Sequence, residues 1–314
     1  MSLKLVRFST KERPHDIRIG ALSAGRVIDL QLLSAAADAP ICPDCGFEVI
    51  PLLSGMGCDE ALDWAADIAA DAENAPADMR YDRSAIKLHA PVGAGGKVLC
   101  LATNYDSHLK EGGSKRTIQT PRVFMKPTNN TLCGDGDPIL ITSQSRLPDY
   151  EGELAVIIGR TCREVEPEEA LDYVGGYACC NDISERRLRV WERPEDQDWD
   201  RFFDWLNGKW FDNSLPLGPC VVPAGFIADP HDLQLQTRVN GETRQETSTG
   251  LMIFSIPQVI AFISQIMTLH PGDIIATGTP SGVGAVTDTA LQPGDTVEVE
   301  ISEIGTLSNP VIAQ

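Results

Sequence analysis

Long apolar runs are missing from this chain. A membrane-crossing helix needs about 18 to 20 consecutive apolar residues, and nowhere in the 314 do so many occur together. The N-terminus, Met1-Ser-Leu-Lys-Leu-Val-Arg-Phe8, also lacks the apolar core of a secretory signal. The expectation is therefore a cytoplasmic protein with no membrane partner. Basic residues are scarce as well: Lys and Arg total 26 against 45 Asp and Glu, for a net charge of -19 and a pI near 4.6. A phosphate-binding surface needs a basic patch, so no nucleic-acid partner is expected. Cysteine is present, nine in all, but at no regular spacing. Cys42-Pro-Asp-Cys45 is a lone CxxC without the second pair of a zinc ribbon and reads as a loop. Cys100, Cys179 and Cys180 lie in apolar runs, where a reduced thiol packs as a small hydrophobe. Internal repeats and low-complexity segments are absent.

With 42% hydrophobic residues the chain can bury a large core. Two parts are expected: a small N-terminal α+β domain over residues 1–85 and a larger β-rich domain over 86–314. In the first, strands at Lys4–Phe8, Arg18–Leu22 and Arg26–Leu30 form a small sheet, the last two joined by a tight turn at Ser23-Ala-Gly25. A helix follows over Asp59–Glu73, stopped by Asn74-Ala-Pro76. In the second, apolar strands at Val98–Ala102, Val123–Met125, Leu154–Ile158, Tyr177–Asp182 and Ile274–Ala276 are separated by Pro and Gly turns. Helices begin at Pro167 and Pro257, the latter with Ile260, Ile263 and Met267 on one face.

The most informative segment is Leu147-Pro-Asp-Tyr-Glu-Gly-Glu153, which leads into a buried strand. Residues i and i+2 of a strand share a face, so Glu151 and Glu153 sit side by side where hydration is poor. Their repulsion calls for a cation. Asp182, ending the strand from Tyr177, is a candidate third acid, and an all-oxygen set favours Mg²⁺ or Mn²⁺, with Ca²⁺ as an alternative, over zinc. The competing reading is a solvated strand end with Arg or Lys partners.

His108 and Glu111 stand three apart, on one side of a helical turn, where the carboxylate would orient the imidazole as a general base; a solvated helix face gives the same spacing. Residues 196–211 hold three of the five tryptophans. Trp199, Phe202, Phe203 and Leu206 fall at i, i+3, i+4 and i+7, an apolar face for core or dimer packing or for a pocket wall. Lys209, between Gly208 and Trp210, is a candidate for an anionic substrate. Thr277-Gly-Thr-Pro-Ser-Gly-Val-Gly284 lacks the Lys-Ser/Thr of a P-loop, so nucleotide binding is not expected; its glycines would let backbone N–H groups approach a carboxylate or oxyanion.

In this order the segments resemble the fumarylacetoacetate hydrolase family: Asn104-Tyr105-x-x-His108-x-x-Glu111, Tyr150-Glu-x-Glu153-Leu-Ala-Val, Asn181-Asp182-Ile-Ser, Gly208-Lys209, Val239-Asn-Gly-Glu242 and Pro271-Gly-Asp through Gly284. The resemblance spans most of residues 86–314 and is to longer members with a leading domain. It implies a mixed β-roll catalytic domain, a homodimer, and Mg²⁺ or Mn²⁺ held by Glu151, Glu153 and Asp182. The implied activity is hydrolysis of a carbon–carbon bond in an acylpyruvate or diketo acid, as in catabolism of aromatics or sugar acids. His108 and Glu111 would activate water, Lys209 would stabilise the enolate, and Tyr105, Gly278 and Thr279 would contact a small-molecule 2-oxo acid. Where many members carry glutamine seven residues after the metal aspartate, this chain has Arg189, which offers only donors and a fixed charge and so suggests a further acidic group on the substrate. The same site would also serve an oxaloacetate-type decarboxylase or a 2-hydroxy-dienoate isomerase. A non-catalytic metal-binding scaffold is the alternative of another class.

Overall fold

The computed structural model describes residues 2–37, 49–53, 59–113 and 117–314. The Cys42/Cys45 pair lies outside the described residues. Strand Gly152–Ile158 is buried at every position, and so is its antiparallel neighbour Val174–Asn181. Alternate residues of the first feed two apolar clusters, Leu154 and Val156 on one face and Ala155 and Ile157 on the other. A strand covered on both faces reads as an unbroken apolar run, which is why its sequence does not alternate.

These two strands occupy the middle of a mixed sheet. In spatial order its main path runs Arg80–Asp82, Arg26–Asp29, Arg13–Ser23, Leu5–Thr10, Leu215–Pro223, Val174–Asn181, Gly152–Ile158, Ile274–Ala276, Val98–Leu101 and Val123–Lys126. Ile274–Ala276 runs parallel to Val98–Leu101, and the other neighbours on this path are antiparallel. A second sheet orders Glu242–Ser248, Gln234–Val239, Thr296–Ile301, Gly305–Ala313 and Ile139–Ile141. The architecture is the expected β-rich α+β class.

The N-terminal hairpin forms as expected, with Ser23 opposite Arg26 and both Ala24 (φ 47°) and Gly25 (φ 78°) in the left-handed region of a two-residue turn. Its second strand ends at Asp29 rather than Leu30. Asp29 Oδ1 accepts the Leu32 N–H at 2.9 Å, which starts the helix Leu30–Ala37 instead. At the boundary expected near residue 85 the hydrogen bonding is continuous: Leu5–Thr10 pairs both with Ile86–His89 and, at Leu5, with Val221. The helix from Asp59 closes at Ala70, ahead of a short turn at Ala72–Asn74. Helix Ile256–Ile266 is held at its start by a reciprocal Ser255/Gln258 capping box and buries Ile260 and Ile263.

Candidate active site

The register of the two central strands builds the acid cluster. Gly152 lies opposite Asn181, so Glu151 and Asp182 meet where the pair ends, and Asp182 N–H donates to Glu151 O at 2.9 Å. Glu151, Glu153 and Asp182 are all buried, and one carboxylate oxygen of each lies within 4.8 Å of the others. The strand end is buried rather than solvated, while the Arg and Lys partners of the competing reading are present.

Cations surround this cluster unevenly. Lys209 Nζ donates to Glu151 Oε2 at 2.6 Å and to Asp182 Oδ2 at 2.7 Å. Arg186 donates to the other oxygen of Glu151 and, through Nε, to Asp149 at 2.9 Å. Lys126 Nζ reaches Asp182 Oδ1 at 2.6 Å and is completed by the carbonyls of Ile183 and Ser214. Glu153 alone of the three has no cation within ion-pair distance among the described residues; it accepts the Gly278 N–H at 2.7 Å.

The proton affinities follow. Burial pushes Glu153 up, and the charges of Asp182 and Glu151 push it further. Burial would also raise Glu151, but Arg186 and Lys209 outweigh it and hold the carboxyl well below its ordinary range. For Lys209 burial opposes the charge, yet Asp182 and Glu151 raise its pKa above that of a free lysine. The donor set fits a hard divalent ion: three carboxylate groups converge, and Glu153 is paired with no side-chain cation among the described residues.

A cavity of about 50 Å³ opens on the cluster, with His108, Arg186, Lys209, Thr279, Phe124 and Trp205 in its wall. The short helix Asp106–Glu111 carries His108 and Glu111, whose Nδ1 and Oε2 lie 3.6 Å apart. Both atoms are buried without a hydrogen-bond partner. That separation is too long for a hydrogen bond, and such pairs often tighten only when substrate binds. Glu111 is fixed from the other side, where its Oε1 accepts the Gly282 N–H at 2.8 Å.

Gly278 (φ 96°) presents its N–H to Glu153 so closely that a Cβ there would stand 2.7 Å from Asn104 Cβ. The Thr279 hydroxyl donates to Gly152 O at 2.9 Å and accepts from Gln245 Nε2 at 2.8 Å. Tyr105 is buried with an unpartnered hydroxyl. Burial, followed by the charge of Glu153, raises its pKa. Arg189 is not in the cavity wall; it pairs with Asp196. Arg186, three residues earlier, stands where an arginine meets the cluster.

In the aromatic segment, helix Asp198–Asn207 leaves Trp199, Phe202 and Phe203 exposed and turns Trp205 toward the cavity, edge-on to Phe124 at 5.1 Å between ring centres. Of the face predicted by spacing, Leu206 packs against the core beside Trp205. Cys100, Cys179 and Cys180 are free and fully buried, and burial raises each thiol pKa. Sequence reasoning missed Lys126 and Arg186. Lys126 ends a strand on the same face as Phe124, and a lysine on a buried strand face needs an acid partner. That was the available signal.

Residues 97–312 match the family described as fumarylacetoacetate (FAA) hydrolase C-terminal. The chain belongs to the fumarylacetoacetate hydrolase family. Among relatives in this enzyme family, oxaloacetate tautomerase YisK of Bacillus subtilis is 43% identical over 239 residues, covering 74% of this chain and 75% of its own. The mitochondrial oxaloacetate tautomerase fahd2 of Xenopus laevis is 33% identical over 320 residues, 99% of this chain and 91% of its own. Of the solved family structures, maleylpyruvate hydrolase from Sphingobium sp. SYK-6, in complex with manganese(II) ion and pyruvate, is 29% identical with a TM-score of 0.72 over 99% of both chains. Among the described residues no helix is long and apolar enough to cross a membrane.

Proposed function

We propose that this chain is a divalent-metal-dependent enzyme of 2-oxo acids whose central step is proton transfer at the carbon beside the 2-oxo group. One observation carries the reading: His108 shares a single small cavity with Glu151 and Glu153 of the three-carboxylate cluster and with Lys209 and Arg186. Glu151, Glu153 and Asp182 would hold Mg²⁺ or Mn²⁺. When bound, such an ion supplies Lewis-acid stabilisation of the negative charge that develops on the substrate.

The side chains do the rest. Lys209 and Arg186 bind the anionic head of the substrate, in a site where Phe124 and Trp205 exclude water and so strengthen each charge interaction. Of the two imidazole nitrogens, Nδ1 is turned to Glu111, which leaves Nε2 to exchange the proton. Glu111, itself held by the Gly282 N–H, sets the tautomer of His108.

Keto–enol proton transfer on oxaloacetate is the reaction favoured here, supported by the two relatives named for that activity. Hydrolytic cleavage of an acylpyruvate is the second reading. It is favoured by a larger chamber adjoining the cavity, with room for an acyl group; in it His108 would take its proton from water. A cytoplasmic homodimer completes the proposal.

The test follows decay of the enol absorbance of oxaloacetate, and pyruvate release from acylpyruvates, with Mg²⁺, with Mn²⁺ and with chelator. Chelator-sensitive enol decay supports the first reading, and pyruvate release from acylpyruvates the second. Pyruvate and carbon dioxide from oxaloacetate would move the assignment to a decarboxylase. Metal binding with no turnover would overturn the enzymatic reading.

A further inference from the structure

The head of strand Gly152–Ile158 outruns its neighbour. Ile274–Ala276 pairs with this strand only as far as Ala155, so the main chain of Gly152 must find other partners. A side chain of the second sheet supplies one. Gly152 N–H donates to Gln245 Oε1 at 3.0 Å, and Gln245 Nε2 donates to Thr279 Oγ1 at 2.8 Å and to Pro280 O at 3.0 Å. The Thr279 hydroxyl donates in turn to Gly152 O at 2.9 Å, which closes a ring of three hydrogen bonds. Gln245 is fully buried, and it ties the residue between Glu151 and Glu153 to the loop whose Gly278 N–H holds Glu153.

A β-bulge aims Gln245 at this place. In the hairpin of Gln234–Val239 and Glu242–Ser248, Thr237 lies opposite Gln245 but Arg238 lies opposite Thr243, which leaves Arg244 as the extra residue. The bulged hairpin sits so close to the strand head that a Cβ on Gly152 would stand 2.0 Å from Thr237 Oγ1.

The polarity of the ring is set by its backbone members. A peptide N–H only donates and a carbonyl only accepts, so Gly152 N–H and Pro280 O decide which end of the Gln245 amide is oxygen. Nε2 then occupies an acceptor position of the Thr279 hydroxyl, whose proton must point elsewhere. It rests on the neutral carbonyl of Gly152. Thr279 lines the inner cavity and Gln245 does not. A negatively charged oxygen entering the cavity is the stronger acceptor, and the hydroxyl can turn its proton to it without releasing Gln245.

We infer that Gln245 is a positioning residue which, acting through Thr279, presents the hydroxyl proton to the anionic head of the substrate. The inference rests on the 2-oxo-acid reading above, whichever reaction follows. It makes the second sheet part of the active site, although no residue of that sheet lines the cavity.

Pyruvate affinity of the Mn²⁺-loaded protein, measured by calorimetry, tests this in a double-mutant cycle. Gln245→Met removes the amide at similar volume, and Thr279→Val removes the hydroxyl it acts through. Gln245→Met should weaken pyruvate binding about three- to tenfold, the range of a single hydrogen bond, but no more than about 1.5-fold in the Thr279→Val background. In Thr279→Ser, which keeps a hydroxyl, the loss should return. Gln245→Asn, too short to span from Gly152 to Thr279, gives the same cycle should the methionine variant not fold. A loss of equal size with and without the hydroxyl, or no loss at all, would overturn the inference and leave Gln245 a brace. Wild type that binds Mn²⁺ but not pyruvate would instead fail the 2-oxo-acid reading, and with it the assignment built on that reading.

Discussion

Lys126 Nζ lies 2.6 Å from Asp182 Oδ1, on the opposite oxygen of that carboxylate from Lys209. Both members of the pair are essentially inaccessible to solvent. Removing one partner of a buried pair leaves the other charge uncompensated, at a typical cost of about 3–5 kcal/mol. Lys126→Met should therefore lower the denaturation midpoint strongly and weaken Mn²⁺ binding, since Asp182 is no longer held. A denaturant titration and a metal titration on the same variant check this. A midpoint within experimental error of wild type would show that Lys126 is not structural.

Glu153 is the acid of the cluster without a cation, so if it is a metal ligand as proposed, replacing it with its neutral isostere should have opposite effects with and without metal. In metal-free protein, Glu153→Gln removes repulsion from Asp182 and Glu151 and should raise the melting temperature. In Mn²⁺-loaded protein the ranking should reverse, with metal affinity at least about tenfold lower. Thermal unfolding with and without chelator reads both signs. The same loss of stability in both conditions would argue that Glu153 is a packing residue.

For His108→Ala, turnover should fall by about 10²- to 10⁴-fold, the usual contribution of a positioned acid–base group, while Mn²⁺ affinity changes little. Glu111→Gln, which keeps the Gly282 contact but loses the charge, should cost less. Steady-state kinetics and metal titration separate the two effects. Undiminished activity in His108→Ala would remove the proton-transfer role.

His89, at the seam where Ile86–His89 meets Leu5–Thr10, gives a pH signature far from the cluster. Burial, then the charges of Lys87 and Arg7, lowers its pKa below 6.5, and its Nε2 is 2.8 Å from Ser9 Oγ. The unfolded chain therefore takes up a proton at about pH 6.5 that the folded chain still refuses. Stability is complete above that value and declines as the pH falls through the lowered folded pKa. Urea titrations from pH 7.5 to 5.5 should show a decline that is shallower in His89→Gln. Parallel curves for the two proteins would contradict the assignment.

Local spacing made the acids legible and left their partners hidden. Glu151 and Glu153 are two apart at the head of one strand, and the dyad is one helical turn, so both are written in a few consecutive letters. Lys126 and Lys209 join Asp182 from 56 and 27 residues away, and only sheet topology brings them together. In the run Glu185-Arg186-Arg187-Leu188-Arg189, composition cannot choose among three arginines. The backbone decides, because Glu185 accepts the N–H groups of Leu147 and Arg187 and so aims Arg186 at Asp149 and Glu151. The aromatic helix misled for a related reason. Hydrophobic spacing finds an apolar face but not what it faces, and here Trp205 turns inward to the cavity and, with Leu206, to the adjoining core.

Between Gly278 and Ala285 the chain reaches three different acids through its amides: Glu153 from Gly278, Glu111 from Gly282, and Asp149 from both Gly284 and Ala285. Such donors belong to the peptide unit and not to any side chain. Anyone transplanting this centre onto another scaffold by copying its acids, lysines and histidine would carry over the acceptors and leave their donors behind. The unit to be moved is a stretch of main chain with its curvature intact, and a faithful copy is best judged by where its N–H vectors point.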